Sequence, residues 1–271
     1  MSSDTVHIGR SGGHRRPAVA GTFYPAVPAR LAAEVDALLS IAAPEPVPAG
    51  RMPALVVPHA GYRYSGPVAA VAYALARKWA PARAVLLGPA HAVPLTGSAV
   101  PRAAVWSTPL GPMPVDHAAR KRALAVRGVH AADRPHAPEH SLEVQLPFLQ
   151  RSLDPRLPVL PVVTAAAPDD VADLLDAAAG PDTLVVASTD LSHYLPDEET
   201  RRRDRRTLDA VLALDPDRIG PGAACGADAL RGLLAWADRT GRNPTLLSYR
   251  TSADATGDRT RVVGYAALAL G

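Results

Sequence analysis

The chain has one cysteine, Cys225, in 271 residues, so no intrachain disulfide can form, which suits a reducing compartment. Net charge is also scarce: 29 Lys and Arg against 26 Asp and Glu leave +3, too near balance for a dedicated nucleic-acid or anionic-membrane surface. Lysine is almost absent, with only Lys78 and Lys121. No run approaches the roughly 18 apolar residues needed to span a bilayer, and the polar start MSSDTVHIGRSGGHRR lacks the apolar centre of a signal peptide. A cytoplasmic protein that engages neither nucleic acid nor membrane is expected. There is no internal repeat and no glycine-rich phosphate loop after a strand. Ser188 and Ser192 stand close to Asp190 and His193 but lack the G-x-S-x-G turn of a hydrolase nucleophile.

An apolar content of 48% in a chain of this length supports a sizeable core and argues against a disordered chain. Residues 1–15 lack periodicity and are expected to form a flexible tail that includes His7 and His14, with a single domain over 16–271. Leu31, Val35, Leu38 and Leu39 mark one helix face, and the proline-rich stretch 44–53 reads as a loop after it. Ala54–Val57, Ala84–Leu87, Val159–Val163 and Thr183–Ala187 are short apolar runs that read as buried strands. Helix patterns lie between and after them: Val68 to Trp79, Val171 to Ala178 after Pro168, and Leu230 to Ala237. In 197–206 the acids Asp197, Glu198 and Glu199 precede Arg201, Arg202 and Arg203 by four residues, the pattern of a solvated helix face. Leu246–Tyr249 and Arg261–Leu268 read as late, antiparallel strands. The alternation predicts an α/β layered fold with a mixed, largely parallel central sheet flanked by helices.

Ligands of such sheets bind beyond the carboxyl ends of strands. Three histidines fall there: His59 after ALVVP, His91 after AVLLGPA, and His193 at the close of VVASTDLSHY, three residues past Asp190. A histidine at a strand end is more often structural, but three of them point to one site. Cys225 precedes an amphipathic helix, whose N-terminus would favour its thiolate as a metal ligand or nucleophile; free cysteines are about as often inert core residues. In PEHSLEVQLPFL (138–149), Leu142, Leu146, Leu149 and Leu153 form an apolar stripe, with Glu139, His140 and Glu143 near its start. His140 is expected to project from the positive end of that helix, with a lowered pKa, while Glu143 caps or pairs locally. His117, His130 and His136 lie in an Arg-rich region and read as exposed.

Seven motifs carry a family resemblance: RPAVAGTFYP (16–25), PHAGYRYSG (58–66), GPAHA (88–92), EHSLEVQLPFL (139–149), ASTDLSHY (187–194), CGADAL (225–230) and GDRTRVVGYAAL (257–268). In this order, over 16–268, they resemble the Memo family, whose prokaryotic members are often labelled AmmeMemoRadiSam system protein B. The resemblance implies the fold of class III extradiol non-haem iron dioxygenases. It further implies a metal pocket in which His59 and His91 match two ligands and Cys225 the third position. His193 with Asp190 would line that pocket, and His140 would be a further pocket histidine. Iron(II) is the first expectation for the metal. The thiolate, where the dioxygenase relatives carry a carboxylate, also admits copper or zinc.

On that analogy His193 serves as general acid or base, Asp190 orients it, and His140 stabilises charge on bound oxygen. Three functional readings follow. One is an oxidoreductase acting on a small aromatic molecule; the second is a metal-handling protein without turnover; the third is an adaptor whose pocket captures a peptide or partner protein. The family label also implies AMMECR-type and radical-SAM protein partners.

Overall fold

In the computed structural model, which describes residues 13–43, 52–220 and 222–271, the four apolar runs are four adjacent strands with both faces covered. The chain order is β1 (His14–Arg15), α1 (Pro28–Ile41), β2 (Ala54–Val57), α2 (Tyr62–Ala76), β3 (Arg83–Gly88), β4 (Gly97–Val100), β5 (Val105–Thr108), β6 (Gly111–Pro114), α3 (His117–Ala123), β7 (Val129–Ala131), α4 (Leu146–Ser152), β8 (Val159–Ala165), α5 (Pro168–Ala178), β9 (Thr183–Ser188), β10 (His193–Leu195), α6 (Asp197–Leu212), α7 (Ala227–Arg239), β11 (Pro244–Thr251), α8 (Ala253–Thr256) and β12 (Val262–Leu270). The main sheet runs β10-β12-β2-β9-β3-β8-β4-β7, with β11 also on β12. Its centre, β2-β9-β3-β8, is parallel; β12 and β4 join it antiparallel on either side. This is the expected single α/β domain with a mixed sheet flanked by helices.

Period-two alternation divides the core in two. Leu55, Val57, Leu86 and Val186 face a cluster with Leu31 and Val35 of α1, Val68 and Leu75 of α2, and Leu149 of α4. Val56, Val85, Leu87 and Val185 face Val171 and Leu175 of α5, Val211 of α6, and Leu230 and Leu233 of α7. On α6 the charge run forms Arg201–Asp197 and Arg203–Glu199 pairs one turn apart, but Arg202 pairs with Glu199 rather than Glu198, and Asp197 is buried against Thr251, so the solvated-face reading holds only in part. Among the described residues, no helix is long and apolar enough to cross a membrane.

Three local expectations are corrected. Ordered structure starts before Arg16, because His14 and Arg15 pair with Val105 and Trp106 of β5, and Arg15 is buried; the rest of the expected tail, residues 1–12, and most of the loop at 44–53 lie outside the described residues. His136 is buried rather than exposed, edge-on to Trp106, with Nδ1 donating to the Ala132 carbonyl at 2.8 Å. The stripe at 142–153 opens with a 3-10 turn, Glu143–Gln145, and becomes α-helical only at Leu146. His140 therefore precedes the helix instead of starting it.

α5 and α7 pack closely where Gly232 meets Val171: a Cβ on Gly232 would lie 2.3 Å from Val171 Cβ. Neither helix backbone can retreat without disturbing the sheet beneath. Gly232→Ala is expected to lower stability by about 2 kcal/mol through overpacking, read from urea unfolding, and Val171→Ala in the same chain is expected to restore part of it.

Candidate metal centre

β2, β9 and β3 lie side by side and parallel, so the chain leaves all three at the same edge of the sheet. His59 follows the end of β2, His91 the end of β3 and Asp190 the end of β9. With neighbouring strands about 4.8 Å apart, side chains from β2 and β3 can meet over the end of β9. The His59 and His91 ring centroids are 5.2 Å apart. The segment after β7 adds His140, 5.3 Å from His59 and 4.6 Å from His91 between ring centroids. That segment rests directly on β3 because the strand ends in Gly88, where a Cβ would lie 2.6 Å from Ser141 Oγ and 2.8 Å from Leu142 Cδ2. One ring nitrogen from each of His59, His91 and His140 lies within 4.8 Å of the others, close enough for one metal ion to bridge.

Hydrogen bonds fix which nitrogens are available. Ser188 Oγ donates to the Ser141 carbonyl at 2.7 Å and accepts from Gln145 Nε2 at 2.8 Å. Its single proton is thereby used, so its 3.0 Å contact with His59 Nδ1 requires the imidazole to donate. His59 Nε2 is left unprotonated, an acceptor 3.2 Å from Cys225 Sγ. Glu139 Oε1 accepts from His91 Nδ1 at 2.9 Å, which likewise frees His91 Nε2. Glu139 also accepts from the backbone N–H groups of His91 and Ser141, both at 2.8 Å, and lies 3.6 Å from His140 Nδ1. Carboxylate and hydroxyl partners of this kind set the tautomer of metal-binding histidines.

Cys225 Sγ lies 3.2 Å from His59 Nε2 and accepts from the Asp190 backbone N–H at 3.3 Å, on the flank of the three-histidine group. The expectation of a favoured thiolate is overturned. Burial and the nearby Asp190 charge push the thiol up to about 12, outweighing the N–H groups that point at it. Asp190 does not orient His193: its Oδ1 accepts from the His59 backbone N–H at 2.7 Å, and the Ala60 N–H also bonds to it. Burial pushes Asp190 up to about 7 despite those bonds. The Leu191 carbonyl acts to raise the His193 pKa, against the larger effect of burial. The lowered pKa of His140 comes chiefly from burial, which the Glu139 charge opposes; burial lowers His59 and His193 as well.

These groups line a cavity of about 520 Å³ with Phe23, Tyr64, Tyr194, Val263 and Tyr265. Phe23 packs on His140 at 4.7 Å between rings, and Tyr194 holds a left-handed backbone, φ 61°. Sequence reasoning missed the tie from Ser188 to His59 and the tie from Glu139 to His91. Their partners are 129 and 48 residues away, so neither leaves a local pattern.

Burial works to raise the Glu139 pKa, but the donors from His91 and Ser141 outweigh it and hold it at about 2, below the ordinary 4.5. A depressed carboxylate stabilises the fold above its unfolded pKa and loses that contribution as pH falls through the folded one. Glu139→Gln is therefore expected to remove about 3 kcal/mol of stability at pH 7 and to flatten the loss of stability between pH 4.5 and about 2. Urea unfolding across that range checks both.

Residues 15–269 match the family described as Memo-like protein. The chain is 34% identical to a MEMO1 family protein of Sulfolobus acidocaldarius, across 95% of this chain and 99% of that relative. It is 35% identical to one of Aeropyrum pernix, across 94% and 98%, and 35% identical to one of Aquifex aeolicus, across 93% and 97%. The seven sequence motifs, the mixed sheet and this near end-to-end match agree: the chain belongs to the Memo-like family.

Proposed function

We propose that this pocket is a mononuclear metal site of a metal-dependent oxidoreductase, dioxygenase-like in chemistry and acting on a small aromatic molecule. The observation that carries this reading is the convergence of imidazoles, with His59 and His91 each tied through Nδ1 so that Nε2 keeps its lone pair. Nitrogen donors beside a thiol suit iron(II), our first choice, and also copper or zinc. His59 and His91 would hold the ion. Cys225 is our choice for the third position, because its sulfur already lies 3.2 Å from His59 Nε2, about the separation of two ligands on one ion. The three-histidine spacing favours His140 there instead; in our assignment His140 faces the open side as a hydrogen-bond donor.

Such an ion supplies Lewis acidity toward a phenolic oxygen and, for iron or copper, electrons toward O₂. The rest is the work of the chain. His193 is partly buried and burial favours its neutral form, in which one ring nitrogen can accept a phenolic proton. Phe23, Tyr64 and Tyr265 offer apolar walls to a planar ring and limit water around it. Asp190 anchors the backbone of His59 and so holds the ligand rather than the acid–base group. A second reading, an adaptor for a peptide or partner protein, draws on a cavity of about 700 Å³ that adjoins this one across Phe23.

Anaerobic loading with iron(II), followed by O₂-consumption measurements over a panel of catechols, tests the enzyme reading. Turnover is expected in the native chain, with a fall of about 10²- to 10⁴-fold in His193→Ala while iron is retained. Retained iron with no substrate-dependent O₂ consumption would overturn the enzyme reading and leave metal handling or partner capture. Cobalt(II) identifies the third ligand. A near-ultraviolet thiolate charge-transfer band that disappears in Cys225→Ser is expected, whereas a band-free spectrum lost only in His140→Ala would replace Cys225 with His140.

A further inference from the structure

Residues 15–24 reach the metal centre without contributing a ligand to it. Arg15 is buried, and its guanidinium lies 4.3 Å from the centroid of the Trp106 ring. Nη1 pairs with Glu143, a carboxylate with no solvent exposure. Nε donates to the His136 carbonyl at 3.0 Å and Nη2 to the Glu139 carbonyl at 2.7 Å. One planar cation therefore fixes the backbone on both sides of the turn at 136–139. Glu143 in turn accepts from the N–H of Ala18 at 2.7 Å, the N–H of Val19 at 3.0 Å and the Tyr24 hydroxyl at 2.5 Å, which ties the segment down along its length. Glu139, whose carbonyl Arg15 holds, is the residue whose carboxylate binds His91 and lies beside His140.

We propose that Arg15 is a positioning residue of the metal centre: clamped by Glu143 under Trp106, it sets the backbone of residues 136–139 and so aims the Glu139 carboxylate that orients His91 and lies beside His140. The role needs a planar cation with divergent donors. Lysine can keep the charge opposite Glu143 but cannot hold two carbonyls in the same plane. As a statement about metal affinity the inference rests on the metal reading above; as a statement about histidine orientation it does not.

The test uses the full-length chain and two readouts. In the metal-free protein, long-range ¹H–¹⁵N spectra report the tautomer of each imidazole; in the second, zinc affinity is measured by competition with a chelator. The native chain is expected to show His91 as a single Nδ1–H tautomer. Arg15→Met is expected to shift its ring nitrogens toward the tautomer average and to weaken zinc binding about 10- to 100-fold. Arg15→Lys is expected to fall closer to Arg15→Met than to the native chain, and it serves as the test should Arg15→Met fail to fold. Val171→Ala, a core truncation on α5 away from the site, controls for general destabilisation and should move neither readout. A folded Arg15 variant with native His91 shifts and native zinc affinity overturns the proposal. If the native chain binds neither zinc nor iron(II), the metal reading fails, and the tautomer spectra still decide the role of Arg15.

Discussion

The Ser188 hydroxyl has one proton, and the Ser141 carbonyl receives it. From that follows the tautomer of His59, whose Nδ1 must donate to the same oxygen, and with it the unprotonated Nε2, facing Cys225 Sγ, that makes the pocket a candidate metal centre. The bond also joins three pieces of chain: β9 through Ser188, the exit of β2 through His59, and the segment carrying Glu139 and His140 through Ser141. Gln145 strengthens the junction, since Nε2 donates both to Ser188 Oγ and to the Pro58 carbonyl while the Tyr73 hydroxyl holds its Oε1. A network so buried specifies one arrangement of the rings, because any displaced donor or acceptor would be left without water.

The sheet makes this junction available. Had β2 and β3 been neighbours, their loops would leave the sheet with no strand end between them. With β9 inserted, Ser188 and Asp190 sit between the two histidines, one binding the ring of His59 and the other its backbone. From β3 outward Glu139 plays the matching part for His91. Each imidazole is thus held by a group from a different segment, so the geometry depends on the whole fold more than on either loop.

Residues 54–57, 84–87, 159–163 and 183–187 were legible as strands because burial on both faces leaves an unbroken apolar run. His59, His91 and His193 were legible because strand ends are where such sheets place ligands; Cys225 and His140 stood out beside amphipathic segments, and the motif resemblance gathered all five into one pocket. β4 to β7 were not legible: they are strands of three or four residues, half-exposed in part and interrupted by glycine and proline. Arg15 read as part of a tail because its partner Glu143 is 128 residues away. The protonation of Cys225 in the metal-free chain was not legible: a position before a helix favours the thiolate locally, but burial of the sulfur, with the Asp190 charge beside it, reverses the balance.

X-ray absorption at the metal edge, recorded on protein loaded anaerobically with one equivalent of iron(II) or zinc, tests the central claim most directly. One retained ion per chain is expected, with the multiple-scattering pattern of at least two imidazoles around it, lost when both His59 and His91 are replaced by alanine. A shell of oxygen alone, or failure to retain any of these ions, would contradict it.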